Sequence, residues 1–156
     1  GTMAIGRLDE DSEGLLLLTT DGMMSEIVRS KTVEKEYYAQ VDGVITAEAI
    51  ARLQTGVEIG FKGIRYTTKH CEAGILNELP DYIGEGRRIR DERHGPTSWL
   101  SITLTEGKFR QVRKMTAAVG FPTLRLVRVR VGTISLQNLK AGAVREVEHF
   151  SLPGAL

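Results

Sequence analysis

One cysteine, three histidines and one tryptophan are the whole supply, in 156 residues, of the side chains that most often build metal centres, disulfides and large aromatic cores. A single Cys71 forms no internal disulfide, which fits a reducing compartment. Its expected role is that of a small, half-buried strand residue. His70, His94 and His149 make no pair at metal-ligand spacing, so no metal is expected. His70 and Cys71 are neighbours on an extended segment and point to opposite faces, which argues against joint ligation. The longest purely apolar run is Leu15 to Leu18, far short of a membrane span. No secretory or transit segment is recognisable, and a cytoplasmic location is expected. A large net charge is missing as well, since the formal total is +1. That near-neutrality hides a division. Residues 1–78 carry 8 Lys/Arg against 13 Asp/Glu, and residues 79–156 carry 13 against 7. A basic half on a near-neutral chain points to a local polyanion-binding face rather than to indiscriminate coating of nucleic acid.

What is present suffices for one core: 41% of residues are hydrophobic, and the length is that of a single domain. We take 4–156 as that domain and set Gly1-Thr2-Met3 aside as an added segment. Leu15 to Thr20 reads as a buried strand, followed by a short helix that starts at Asp21 or Gly22 and runs to about Arg29. Glu36 to Val41 reads as a strand closed by Asp42-Gly43. Thr46 caps a helix over Ala47 to Gln54, stopped by Gly56. Ile64 to Glu72 and Ser98 to Thr105 read as strands. Phe109 to Val119 reads as a helix, and Thr123 to Val131 as a strand with Arg125 and Arg128 on different faces. Short strands or turns are expected over Thr133 to Leu139 and Ala143 to Val147. Between Leu79 and Pro96 lies a long basic loop with Arg87, Arg88, Arg90 and Arg93. Strands outnumber helices and are mostly not separated by long ones. The expected class is therefore α+β, a mixed and largely antiparallel sheet with flanking helices.

Three segments can carry chemistry. Asp9 sits beside Leu8 and ahead of a dense polar turn, where a carboxylate can be partly desolvated and still be held by a cation. The bland role there is an Asx turn or a cap. Tyr37 and Tyr38 fall on opposite faces of their strand; one can pack in the core, and the other can offer a ring and a hydroxyl to a cleft. In Glu106 to Met115 a tight turn feeds a helix rich in cations. Arg110 and Arg113 lie about one turn apart, so one can grip a carboxylate through two parallel hydrogen bonds and the other can bind phosphate.

In this order, Gly-Arg-Leu-Asp (6–9) with Asp-Ser-Glu-Gly-Leu-Leu (11–16), Lys-x-Tyr-x-x-x-Val (35–41) and Glu-Gly-Lys-x-Arg-Gln-Val-Arg-Lys-Met (106–115) resemble the RsuA/RluE branch of bacterial ribosomal RNA pseudouridine synthases. These enzymes isomerise uridine within RNA. Gly95-Pro96-Thr97-Ser98-Trp99-Leu100 and Gly120-Phe121-Pro122-Thr123-Leu124-Arg125-Leu126 resemble most the RluE type, which modifies large-subunit RNA. The resemblance runs from about Ala4 to Val147.

The resemblance implies the pseudouridine synthase catalytic fold, with Asp9 as the catalytic carboxylate, Tyr37 against the target base and Arg113 paired with Asp9. It places Leu126 as the aliphatic wall, Arg7 beside the flipped nucleotide, and Arg110 and Arg128 as RNA contacts. No cofactor is implied, because the reaction is an isomerisation; the implied partner is ribosomal RNA, acted on by a monomer. Relatives in that family carry a strand and loop ahead of the Gly-Arg-Leu-Asp segment, and some carry an S4-like domain; the sequence here starts almost at that segment, so a catalytic domain truncated at its amino end is the expectation. The competing expectation is a non-catalytic RNA-binding or ribosome-assembly module on the same fold. A carboxylate-dependent nucleoside or glycoside hydrolase is the third, and it would want two opposed carboxylates.

Overall fold

The computed structural model describes residues 1–30, 32–86 and 92–147. The chain opens with three two-residue strands, β1 (Met3–Ala4), β2 (Glu13–Gly14) and β3 (Leu18–Thr19), and then helix α1 (Gly22–Arg29). Strand β4 (Lys35–Asp42), helix α2 (Ala47–Thr55), the hairpin β5 (Glu58–Phe61) and β6 (Ile64–Thr67), and strand β7 (Glu72–Leu76) follow. Beyond short 3-10 turns at 81–83 and 92–94 come β8 (Thr97–Leu104), α3 (Gln111–Ala118), β9 (Thr123–Val131) and β10 (Ile134–Ser135). The main sheet runs β10-β9-β4-β8-β7, all antiparallel, and β2 adds to β9 in parallel. The α+β, mixed and largely antiparallel expectation is met.

Alternation along β4 and β8 builds the core. Ala39 and Val41 with Leu100, Ile102 and Leu104 face one side, where α2 adds Ile50 and Leu53 and α3 adds Val112 and Met115. The other face of β9 sends Val127 and Val129 against Ile83, with Tyr38 and Trp99 alongside. A separate apolar cluster joins Ile5, Leu15, Leu17, Val28, Val33 and Val131 at the amino-terminal end. Among the described residues no helix is long and apolar enough to cross a membrane.

Local signals hold where the helices are. Asp21 accepts from the Met23 amide at 2.9 Å, and Thr46 from Ala49 at 3.1 Å, each satisfying an orphan donor of a first turn. Four expectations change. The strand expected over Leu15 to Thr20 is interrupted because the chain changes partners there. The Leu15 amide bonds Arg128 O at 2.9 Å on the main sheet, whereas Leu18 pairs with Ala4 on the β1–β3 ladder. In that ladder Met3 pairs with Thr19. The strand expected over Ile64 to Glu72 divides: buried Thr68 ties back to Val57, the Cys71 amide bonds Gln54 O, and β7 then joins β8. The third helix starts at Gln111, since Arg110 takes a left-handed conformation (φ 52°) and leaves Phe109 and Arg110 outside it. Downstream, only Ile134 and Ser135 of the two short segments expected there pair as a strand. Arg87, Arg88 and Arg90 of the expected basic loop, and His149, lie outside the described residues.

Candidate active site

A cavity of about 300 Å³ opens at the seam between the two apolar clusters. Leu104, Val112 and Leu126 line it from the main core, and Ile5, Leu17, Val28 and Val131 from the amino-terminal one. Two clusters joined by short strands leave this gap, and the motifs fill its rim with charge. Six cations (Arg7, Arg29, Lys35, Lys108, Arg110, Arg128) line it against two carboxylates, Asp9 and Glu106. Its volume lies at the small end of ligand pockets.

Asp9 stands at the first position of a tight turn, with the Ser12 amide bonding its carbonyl at 2.9 Å. Its side chain is 19% exposed and lies 3.4 Å from Arg110 Nη1. The Arg110 guanidinium also donates to both oxygens of Asp11, at 3.0 and 2.9 Å, in a two-pronged grip. That bond above all, opposed by partial burial and aided by the nearby Arg113 charge, holds the Asp11 carboxyl down at about 2. One guanidinium thus spans both acidic ends of the turn. Arg113 takes a different place from the one expected. It donates to Asp11 O at 2.8 Å and Ser12 Oγ at 3.2 Å, and its ion-pair contact is Asp11 Oδ1 at 3.6 Å. The pairing with Asp9 expected of Arg113 is made here by Arg110. The cause is local: the left-handed turn at Arg110 aims that side chain across the Asp9 end, while Arg113, a turn further along, reaches the far end. Burial lowers the Arg113 pKa, and its Nε has no partner.

Tyr37 and Leu126 line the cavity, and Tyr38 packs on the opposite face near Tyr82 and Trp99. This resolves which tyrosine faces the cleft. Arg128 pairs in register with Tyr37 across β4 and β9, lines the cavity, and donates from Nε to Leu15 O at 2.9 Å. Arg7 is exposed at the mouth, its guanidinium 5.2 Å from the Phe109 ring centroid. Cys71 is half-buried: its thiol donates to Leu53 O at 3.2 Å, and burial pushes it up to about 11.

Three positions at or behind the cavity were not singled out from the sequence. Lys35 lines the cavity, with its pKa lowered by burial and by Arg128; its place two residues before Tyr37 on an alternating strand was the available signal. Glu106 is buried in the wall. It accepts from the Tyr66 hydroxyl, from the Lys69 amide at 2.9 Å and from Gln111 Nε2 at 2.8 Å. Burial pulls its pKa up, but those bonds outweigh it and leave the carboxyl below its ordinary value, while the Tyr66 hydroxyl that donates to Glu106 is raised to about 12. Arg125 is buried, gripping Glu13 at 2.8 and 2.9 Å and donating to Gly84 O and Ile83 O. It anchors the turn that carries Asp9 to the sheet, and nothing local in the sequence marks it.

The fold thus sets a cation-rimmed cavity with the Asp9 carboxylate in its lining. A family model described as RNA pseudouridylate synthase matches residues 2–118. Among curated relatives, ribosomal large subunit pseudouridine synthase E of Vibrio parahaemolyticus is 40% identical over 147 residues, covering 93% of this chain and 60% of that protein. Ribosomal large subunit pseudouridine synthase B of Yersinia pestis is 34% identical over 149 residues, covering 94% and 41%. A solved structure titled as a pseudouridylate synthase superposes with TM-score 0.68 at 28% identity, covering 86% of this chain and 50% of that one. The chain belongs to the RNA pseudouridylate synthase family. It spans 60% or less of the length of each of these three, and the higher identity to the E protein is the order its motifs imply.

Proposed function

We propose that this protein isomerises uridine to pseudouridine in RNA, with large-subunit ribosomal RNA as the substrate and Asp9 as the catalytic carboxylate. The observation that carries the reading is the convergence of Asp9, Tyr37, Leu126, Arg110 and Arg128 on one cavity from four separate chain segments. A pyrimidine reaches such a cavity only by leaving its stack, at a cost of a few kcal/mol. The cationic rim offsets part of that cost through phosphate contacts.

The reaction breaks the N1–C1′ bond and forms the C5–C1′ bond. The C5 proton is released and N1 gains one, so nothing is oxidised. Asp9 provides the negative charge required at the ribose, either as a nucleophile at C1′ or as a base at C2′. Arg110, at 3.4 Å, fixes the direction of that carboxylate. Tyr37 and Leu126 wall in the detached uracil while it turns. A hydrolytic outcome would need a second working carboxylate and a water. The other carboxylate in the wall, Glu106, is committed to three donors. Asp11 and Glu13 are held by Arg110 and Arg125.

Product analysis tests this. Large-subunit RNA fragments incubated with the protein and digested to nucleosides are expected to gain one pseudouridine for each uridine lost. Free uracil or an abasic ribose among the products would overturn the isomerase reading.

A further inference from the structure

From the cavity rim, a run of cations and aromatic rings crosses the surface to the β5–β6 hairpin. Phe109 is 51% exposed at the cavity mouth. Arg7 lies 5.2 Å from its ring centroid and Lys114 Nζ 5.3 Å, both within cation–π reach. Lys114 Nζ also donates to Gly60 O, in β5, at 2.9 Å. One residue on, the Phe61 ring has Lys62 at 5.2 Å and Lys108 at 5.0 Å, and Lys108 lies equally near the Tyr66 ring. Phe61 and Tyr66 meet edge to face at 6.4 Å. The contacts run unbroken from Arg7 through Phe109, Lys114 and Phe61 to the tip of the β5–β6 hairpin, which forms its own two-stranded sheet. Of the nearby acids, Glu58 faces Arg65 at 3.6 Å and Asp11 is held by Arg110, while Glu10 lies in the outer pocket beside Arg7 and Phe109.

We propose that this track binds the single-stranded RNA flanking the target uridine. Phe109 stacks on a base next to the cavity, and Lys62, Lys108 and Lys114 neutralise phosphates along the hairpin. The inference rests on the isomerase reading, because it is the cavity that fixes where the strand begins. The exposed Phe109 ring, followed by the half-buried Phe61 and by lysines, suits unpaired nucleotides, whose bases offer a π-face whatever their sequence. A duplex keeps its bases stacked on one another and presents shape and backbone instead. The pinned Tyr66 and the bridging Lys114 hold the hairpin in place beside the cavity.

The test uses two RNA stem-loops in an Asp9→Asn background, so that turnover plays no part. One carries the target uridine with an unpaired flank of about eight nucleotides, within the span such grooves cover; the other is the same RNA without the flank. Phe109→Ala is expected to weaken the flanked RNA about tenfold, and Phe109→Tyr to restore it. Lys62→Gln with Lys114→Gln is expected to lower the salt slope for the flanked RNA by about 1.4, two single-strand phosphate contacts, and to leave the slope for the trimmed RNA unchanged. Equal losses on both RNAs, or an unchanged slope, overturn the track. Turnover is read separately on the protein with Asp9 intact: normal pseudouridine formation there, with the affinities above unaltered by the substitutions, overturns the track alone. Absent pseudouridine formation with Asp9 intact, with the flank-specific losses present, overturns the isomerase reading alone. No binding of either RNA by the protein overturns both.

Discussion

Gly14→Ala separates a conformational cost from a packing cost in one site. Gly14 has φ +109°, and a Cβ placed there would lie 2.2 Å from Arg128 O and 2.6 Å from Arg128 N. Both are backbone atoms of the central strand β9, so no flexible side chain can yield. Gly63 also has positive φ, +78°, but a Cβ there meets nothing within 4 Å. Alanine in that region costs about 1–2 kcal/mol at either position. At Gly14 the strand must also part from β9, giving up the parallel pairing of Glu13 and Gly14 and the Leu15 amide bond to Arg128 O. Two or three backbone hydrogen bonds at about 1 kcal/mol each, with the Glu13–Arg125 grip loosened, bring the loss to about 4 kcal/mol. Urea unfolding should therefore set Gly14→Ala about 2–3 kcal/mol below Gly63→Ala, or roughly 4–12 °C in melting temperature for a domain of this size. Because Arg128 and the Asp9 turn move with β2, uridine conversion should fall in Gly14→Ala and persist in Gly63→Ala. Equal stability losses in the two variants would refute the close approach of β2 to β9.

Asp11 supplies a pH test. Its folded pKa, about 2, lies below the ordinary 3.8, so its grip by Arg110 stabilises the fold above pH about 4 and fades as pH falls toward 2. Asp11→Asn should remove part of the stability loss across that window in urea titrations; parallel pH curves for variant and parent would contradict the pair. Cys71, pushed up to about 11, should react with iodoacetamide at pH 8 about 100-fold more slowly than a thiol of pKa 9, the factor set by two pKa units. Labelling at the rate of a free thiol would mean that Cys71 is not held as described.

The sequence reading succeeded where the determinants are local. Thr46 and Gly56 bracket α2 within ten residues, and Asp21 caps α1, because capping depends only on neighbours. The alternation that put Tyr37 and Tyr38 on opposite faces survived for the same reason. It failed where the partner is distant. Leu15 to Thr20 looks like one strand until β9 and β1 compete for it. The Glu13–Arg125 pair joins residues 112 apart in sequence, and no local pattern announces it. The placement of Arg113 turned on a single left-handed residue, Arg110, a conformation that non-glycine residues seldom adopt. Asp9 itself was legible because the motif around it is contiguous. The cavity it faces was not, since its walls come from two clusters, one drawn from residues 39–126 and the other joining residues 5–33 to Val131.

The central claim is that the Asp9 carboxylate performs the isomerisation, and Asp9→Asn tests it most directly because the amide keeps the size and removes the charge. Single-turnover conversion of uridine in a ribosomal RNA fragment should drop to the uncatalysed level while RNA affinity stays within about tenfold, about 1.4 kcal/mol. Pseudouridine formation by Asp9→Asn at a rate near that of the parent would contradict the account.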